Sequence, residues 1–333
     1  MNYVLLTVAL GCLALAAESG PPQDGSTDPR DTDPSEVMPP KSQPSRPWWH
    51  PRRLGRTLAT AAVVVIVLSL LALTMEDKFI YHPTSYPRGN WEPDGLQVQN
   101  CEFESGDGTG LHGWWHSPAD SDGDNPRPVL FWCHGNAGNI TNRTENMRML
   151  ADRGMAFFIF DYRGYGKSEG KPSEKGLYLD GEAAYRYLTE ELGVPAERVV
   201  IFGRSLGSAV ALHVALEKPC AGLILESAFT SVPAMARKVV PVLPLWRFMD
   251  NEFDNLEKVP NLSVPLLSIH GDADGLVPFR QGKAVYEAAP EPKDFYTIPG
   301  AGHNDTYLVG GDEYFQRLKS FCRECAAGKP RLP

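Results

Sequence analysis

A run of β-formers, Val199-Val200-Ile201-Phe202, enters Gly203-Arg204-Ser205-Leu206-Gly207, and an alanine-rich helical stretch begins at once. A Gly-x-Ser-x-Gly match carries meaning in that setting, where a sheet strand turns sharply into a helix. The turn holds the serine in a strained backbone conformation with its hydroxyl above the sheet, and glycines two residues to either side remove Cβ atoms that would clash. Ser205 is then a candidate nucleophile. The pentapeptide alone also fits a plain helix entry with Ser205 as N-cap.

The rest of the sequence separates these readings. A serine hydroxyl is a weak nucleophile at neutral pH, so it needs a histidine to take its proton and a carboxylate to orient that histidine. Strand–turn–helix elbows of this kind are followed by the acid and then the histidine. Downstream, Val264-Pro265-Leu266-Leu267-Ser268-Ile269 reads as a buried strand and runs into His270-Gly271-Asp272-Ala273-Asp274. A second run, Phe295-Tyr296-Thr297-Ile298, enters Pro299-Gly300-Ala301-Gly302-His303. Asp274 and His303 are the expected acid and base, with Asp272 as the competing acid. Each follows the carboxyl end of a strand, where open parallel sheets assemble their sites.

Acyl transfer also needs backbone N–H groups aimed at the developing oxyanion. The strand Pro128 to Cys133 ends in His134-Gly135-Asn136-Ala137-Gly138-Asn139, a glycine-rich loop that lets backbone approach a substrate. Leu206 N–H and Asn136 N–H are assigned as donors, with Ala137 as the alternative to Asn136. His134 is read as ordering the loop rather than as a base.

Together with Phe160 to Gly170, Glu226 to Ser231 and His270-Gly271-x-x-Asp274, these segments resemble the Bem46-like, ABHD17-related branch of the α/β-hydrolases over roughly residues 76–322. The resemblance implies a membrane-associated serine hydrolase with little or no large lid, some of whose relatives cleave palmitoyl thioesters. It carries catalytic roles onto Ser205, Asp274 and His303. The place of Asp274 in the His-Gly-x-x-Asp pattern sets Asp272 aside.

With 333 residues, 42% hydrophobic and 22% charged, the chain is long enough for one catalytic domain of about 250 residues plus an amino-terminal region. A formal charge of −9 disfavours a nucleic-acid partner. Residues 1–17 form a signal-like apolar segment without a positive n-region. Residues 18–56, rich in Pro, Ser, Asp and Gly, read as a disordered linker. Residues 57–75 carry no charge and are long enough to cross a bilayer, as one transmembrane helix. Arg52, Arg53 and Arg56 precede that run, which puts the linker in the cytoplasm and the hydrolase on the other side. A cleaved signal would give the reverse, unless Met38 is the true start. Residues 76–325 are the catalytic domain and residues 326–333 a tail.

In the catalytic domain, Leu96 to Glu104 and Leu111 to Ser117 read as an antiparallel pair turning at Gly106-Asp107-Gly108. Strands at 129–133, 156–161, 199–202, 222–226, 266–269 and 295–298 follow, with helices at 142–152 and 174–192 and after the elbow. This alternation predicts an α/β fold, a mostly parallel central sheet covered by helices on both faces. Pro233, Pro241 and Pro244 break Ser231 to Asn261 into short pieces, so a small flap is expected in place of a cap. Its apolar residues, Val239, Val240, Leu243, Leu245, Trp246 and Phe248, either pack on the sheet edge or form an acyl-binding wall.

Other patterns are set aside. Asp120 to Asp124 resembles a calcium loop but lacks its glycine and bidentate glutamate, and Gly166-Lys167-Ser168 lacks the leading glycine of a phosphate loop. Cys322 and Cys325 form a lone C-x-x-C with no second ligand pair. The expected reaction is ester or thioester hydrolysis of a small or lipid-like acyl substrate through an acyl-enzyme, with no cofactor and no metal. A prolyl-oligopeptidase-like peptidase and a membrane-tethered binding protein of the same fold are the alternatives.

Overall fold

Strands covered on both faces read as unbroken apolar runs, and the central strands of this chain are buried along their whole length. The computed structural model describes residues 51–118, 127–241 and 244–328. Eight strands, β1 (Gln99–Glu104), β2 (Gly110–His116), β3 (Val129–Cys133), β4 (Ala156–Asp161), β5 (Val199–Arg204), β6 (Gly222–Glu226), β7 (Leu266–Gly271) and β8 (Lys293–Ile298), form one sheet. Their order is β1-β2-β4-β3-β5-β6-β7-β8. The β1–β2 and β2–β4 pairs are antiparallel and every other pair is parallel.

Alternation along each strand builds a core on each face. Phe131, Phe158, Phe160, Ile201 and Leu225 pack with Val210 and Val214 of the helix Leu206–Glu217. Trp132, Phe157, Ile159, Phe202 and Ile224 pack on the other face with Met147, Phe315 and Leu318 from helices Thr144–Asp152 and Gly311–Ala326. Cys322 and Cys325 are buried in this second core, where they act as small apolar side chains.

Several boundaries shift from the sequence reading, three of them by more than two residues. β1 starts at Gln99, because Leu96 N–H is taken by Pro93 C=O in a preceding turn. The expected 174–192 helix is regular only over Glu174–Arg186 and ends in a wide π-type turn, Tyr187–Glu191. An apolar helix starts at Pro51, inside the stretch read as linker, with proline at a first-turn position that needs no N–H. Its segment Gly55–Thr74 is long and apolar enough to cross a membrane, and none of it is buried.

The flap is short, as the prolines require: helix Val232–Val239, a 3-10 turn Pro244–Phe248 and helix Asn255–Lys258. Val232 packs into the core and Met235 packs partly against it. Val239 and Phe248 do not; they are 66% and 67% exposed. Packing on the sheet therefore accounts for the start of the flap and not for its tip. Leu243, the segment Asp120 to Asp124 and residues 1–50, with their signal-like and linker readings, lie outside the described residues.

Candidate active site

Ser205 sits between β5 and its helix at φ 52°, ψ −121°, a conformation that costs an L-residue energy and persists only where packing enforces it. The enforcing contacts are tight. A Cβ at Gly207 would lie 2.1 Å from Cys133 O, and one at Gly203 would lie 2.4 Å from Ala211 Cβ. Both flanking glycines are therefore required by close approach of the helix to β3 and β5.

The structure brings the three residues read from the sequence together. His303 Nε2 is 3.0 Å from Ser205 Oγ, and His303 Nδ1 is 2.7 Å from Asp274 Oδ2. The other Asp274 oxygen accepts N–H bonds from Leu276 and Val277 at 2.9 and 2.8 Å. Burial would raise the Asp274 pKa, but the bonds from His270, His303 and Val277 outweigh it and hold the carboxyl well below the ordinary range. With Asp274 ionised, the ring tautomer protonated on Nδ1 donates to it and leaves Nε2 as an acceptor toward Ser205 Oγ. Asp272 is elsewhere: its Oδ1 accepts from Gly300 N–H at 2.6 Å and props the turn before His303.

Of the expected oxyanion donors, Leu206 adjoins Ser205 in the chain and Asn136 follows Gly135. Leu206 opens the helix, where an N–H has no intrahelical acceptor. Gly135 packs on the elbow, with a Cβ position 3.4 Å from Arg204 O. The Asn136 side chain is consumed: Oδ1 accepts from His82 N–H and Tyr165 OH at 3.1 and 2.9 Å, while Nδ2 donates to Ile80 O. Ala137, the alternative, has its carbonyl bound by Arg143 at 2.5 Å. His134 is fully buried against Asp161 and Gly135 O, in keeping with a loop-ordering part.

Sequence reasoning missed the supports of the histidine loop. Arg204 is buried, 2.9 Å from Glu226 Oε1, and donates to His303 C=O and, at 3.3 Å, to Asn304 Oδ1. Glu226 also accepts from Thr306 Oγ1 and Tyr314 OH, each at 2.6 Å. A fully paired buried carboxylate thus ties the β5 and β6 ends to the loop that carries His303. His270, 3.5 Å from Asp274 Oδ2, backs the acid. Arg204 was legible only as the variable residue of the elbow pentapeptide, and Glu226 only as part of a motif. Among the described residues, no group of three or more His, Cys, Asp or Glu side chains is placed to hold a metal ion.

Comparisons with known proteins agree with this architecture. Residues 124–253 match the family model described as "Serine aminopeptidase, S33". An uncharacterised protein of Mycobacterium tuberculosis is 35% identical over 274 residues, 81% of this chain and 96% of that one. Protein bem46 of Schizosaccharomyces pombe is 31% identical over 277 residues, covering 79% and 91% of the two chains. Among solved structures, a Pyrococcus furiosus esterase superposes with a TM-score of 0.59 at 23% identity, over 73% of this chain and 98% of its own.

Proposed function

The chain belongs to the Bem46-like α/β-hydrolases, and on that ground we propose that it is a membrane-anchored serine hydrolase that cleaves a carboxylic ester or acyl-thioester. The observation that carries this reading is the continuous Asp274–His303–Ser205 hydrogen-bond relay at the elbow. His303 Nε2 takes the Ser205 proton as Oγ attacks the carbonyl, and Asp274 stabilises the imidazolium that forms. The Leu206 and Asn136 N–H groups receive the oxyanion; each such donor is worth about a hundredfold to a thousandfold in rate. His303 then protonates the leaving alkoxide or thiolate. Water repeats the attack on the acyl-enzyme.

The family description "Serine aminopeptidase" favours a second reading, in which the same relay cleaves a peptide. An aminopeptidase needs a carboxylate free to hold the substrate ammonium. Two buried carboxylates of the site, Asp274 within the relay and Glu226 behind the His303 loop, are already committed to protein partners. This supports the ester and thioester reading. Purified full-length chain offered p-nitrophenyl esters, acyl-thioesters and amino-acid anilides is expected to turn over the first two at least about a hundredfold faster. Dominant anilide cleavage overturns the proposal.

The anchor in this proposal is Gly55–Thr74, and Arg52, Arg53 and Arg56 before it favour a catalytic domain on the non-cytoplasmic side. In sealed membrane vesicles of known orientation, a carboxyl-terminal tag is expected to resist protease added to the cytoplasmic face. Digestion of the tag without detergent reverses the topology.

A further inference from the structure

The segment that follows the apolar helix is fastened to the flap. Glu76, the second residue past Thr74, is buried although it is charged, and its Oε1 accepts from Asn251 N–H and Asn251 Nδ2, each at 2.8 Å. Its Oε2 accepts from Asp250 N–H at 3.1 Å, and Asp77 Oδ1 accepts from Asn251 Nδ2 at 3.1 Å. Tyr81 OH closes the cluster on Asn251 Oδ1 at 2.6 Å. Residues 250–251 directly follow the Pro244–Phe248 turn of the flap, so that turn is held at the foot of the helix with little slack chain between them.

The flap tip has the composition of an interfacial surface. Val239, Phe248 and, at the same junction, Phe79 are exposed at 66%, 67% and 55%. Arg237, Lys238 and Arg247 adjoin Val239 and Phe248 in the chain, whose net charge is −9. Apolar side chains interleaved with Lys and Arg suit the boundary between acyl chains and phosphate headgroups. The tip also reaches the loop that carries the acid: Lys238 Nζ donates to Gly275 O and Leu276 O at 3.2 Å, directly after Asp274, and Leu276 is itself 55% exposed.

We propose that the flap tip, through Val239, Phe248 and Leu276, docks on the same bilayer that the helix Gly55–Thr74 crosses, so that Ser205 receives acyl groups from the lipid layer. This rests on the anchored-hydrolase reading above. Continuity with the anchor selects lipid as the occupant: Asp250 and Asn251 are pinned to Glu76, two residues past the end of the spanning helix, which keeps the adjoining Phe248 close to the headgroup zone. A long acyl chain then passes from the bilayer along the flap without crossing water, which would cost it the hydrophobic energy of its buried methylenes.

The test uses the full-length chain in vesicles of phosphatidylcholine and phosphatidylserine. An environment-sensitive fluorophore is attached at V239C, at F248C and, as a control, at E190C, and quenched with lipids brominated on the acyl chain. Quenching at the first two positions and none at the control is expected. Quenching is also expected to fall when Glu76→Gln and Asn251→Ala together release the flap. In parallel, Val239→Asp with Phe248→Asp is expected to lower the ratio of bilayer-embedded to water-soluble ester hydrolysis by about tenfold. Alkaline carbonate extraction reports the anchor separately. A chain retained in the membrane with both flap labels unquenched overturns the docking proposal alone, and a chain released by carbonate overturns it together with the anchored reading. The labels decide the matter whether or not any ester is cleaved.

Discussion

Ser205→Ala is expected to abolish covalent labelling by a fluorophosphonate probe and to lower kcat on an ester by roughly 10⁴–10⁶-fold, leaving only what binding and oxyanion donors supply. The magnitude follows from the unity of the relay. With Oγ gone, His303 Nε2 has no hydroxyl to deprotonate, and Asp274 orients a ring without a task. The fold should tolerate the change. Alanine at φ 52° carries the same backbone strain as serine and removes one atom from a partly exposed position. The thermal unfolding midpoint should therefore move little while labelling vanishes. Labelling of the alanine variant at the parent rate removes Ser205 from the nucleophile's role, whatever else the site does.

Sequence patterns gave the sheet, the elbow and the places of Ser205, Asp274 and His303 because each depends on residues adjacent in the chain. A strand run, a glycine and a reactive side chain fall within ten positions in all three cases. The Arg204–Glu226 pair has no such local mark. Arg204 meets Glu226 because β5 and β6 are neighbours in register, and it reaches His303 across 99 positions of chain. The order in which strands cross over was equally silent, since an apolar run says that a strand is buried and not which strand lies beside it.

The segment before the sheet shows the same limit. Pro83 and Ser85 bridge to Gly138 and Gly166, and Gly138 N–H donates to His82 O, so this stretch splints the loop that carries Asn136. It has no period of 2 or 3.6 to announce it. The flap shows a different limit. Its apolar residues imply a partner, and the sequence left that partner open between the sheet edge and an acyl chain. The structure takes Val232 and Met235 into the core and leaves Val239 and Phe248 outside it. Hydrophobicity predicts that a side chain seeks cover without saying whether the cover belongs to the chain.

Asp274→Asn is the substitution that separates an orienting carboxylate from mere packing. Asparagine has nearly the same shape, and its amide oxygen can keep the Leu276 and Val277 N–H bonds. Its amide nitrogen, placed toward Nδ1, would then favour the ring tautomer protonated on Nε2, the wrong one for accepting a proton from Ser205. A loss in kcat of about 10⁴-fold is expected, with little change in KM. Asp272→Asn should cost no more than about tenfold, because that side chain holds only Gly300 N–H and does not touch the ring. The pH dependence adds a second reading of the same carboxylate. Its folded pKa lies below its unfolded one, so the stability it contributes is complete above the unfolded value near 3.8 and is lost only as pH falls through the lower folded value. Asp274 therefore remains charged throughout the range in which the parent enzyme works, and its own titration should not appear in the acid limb of kcat/KM. Equal losses from Asp274→Asn and Asp272→Asn would return the acid's identity to an open choice between the two.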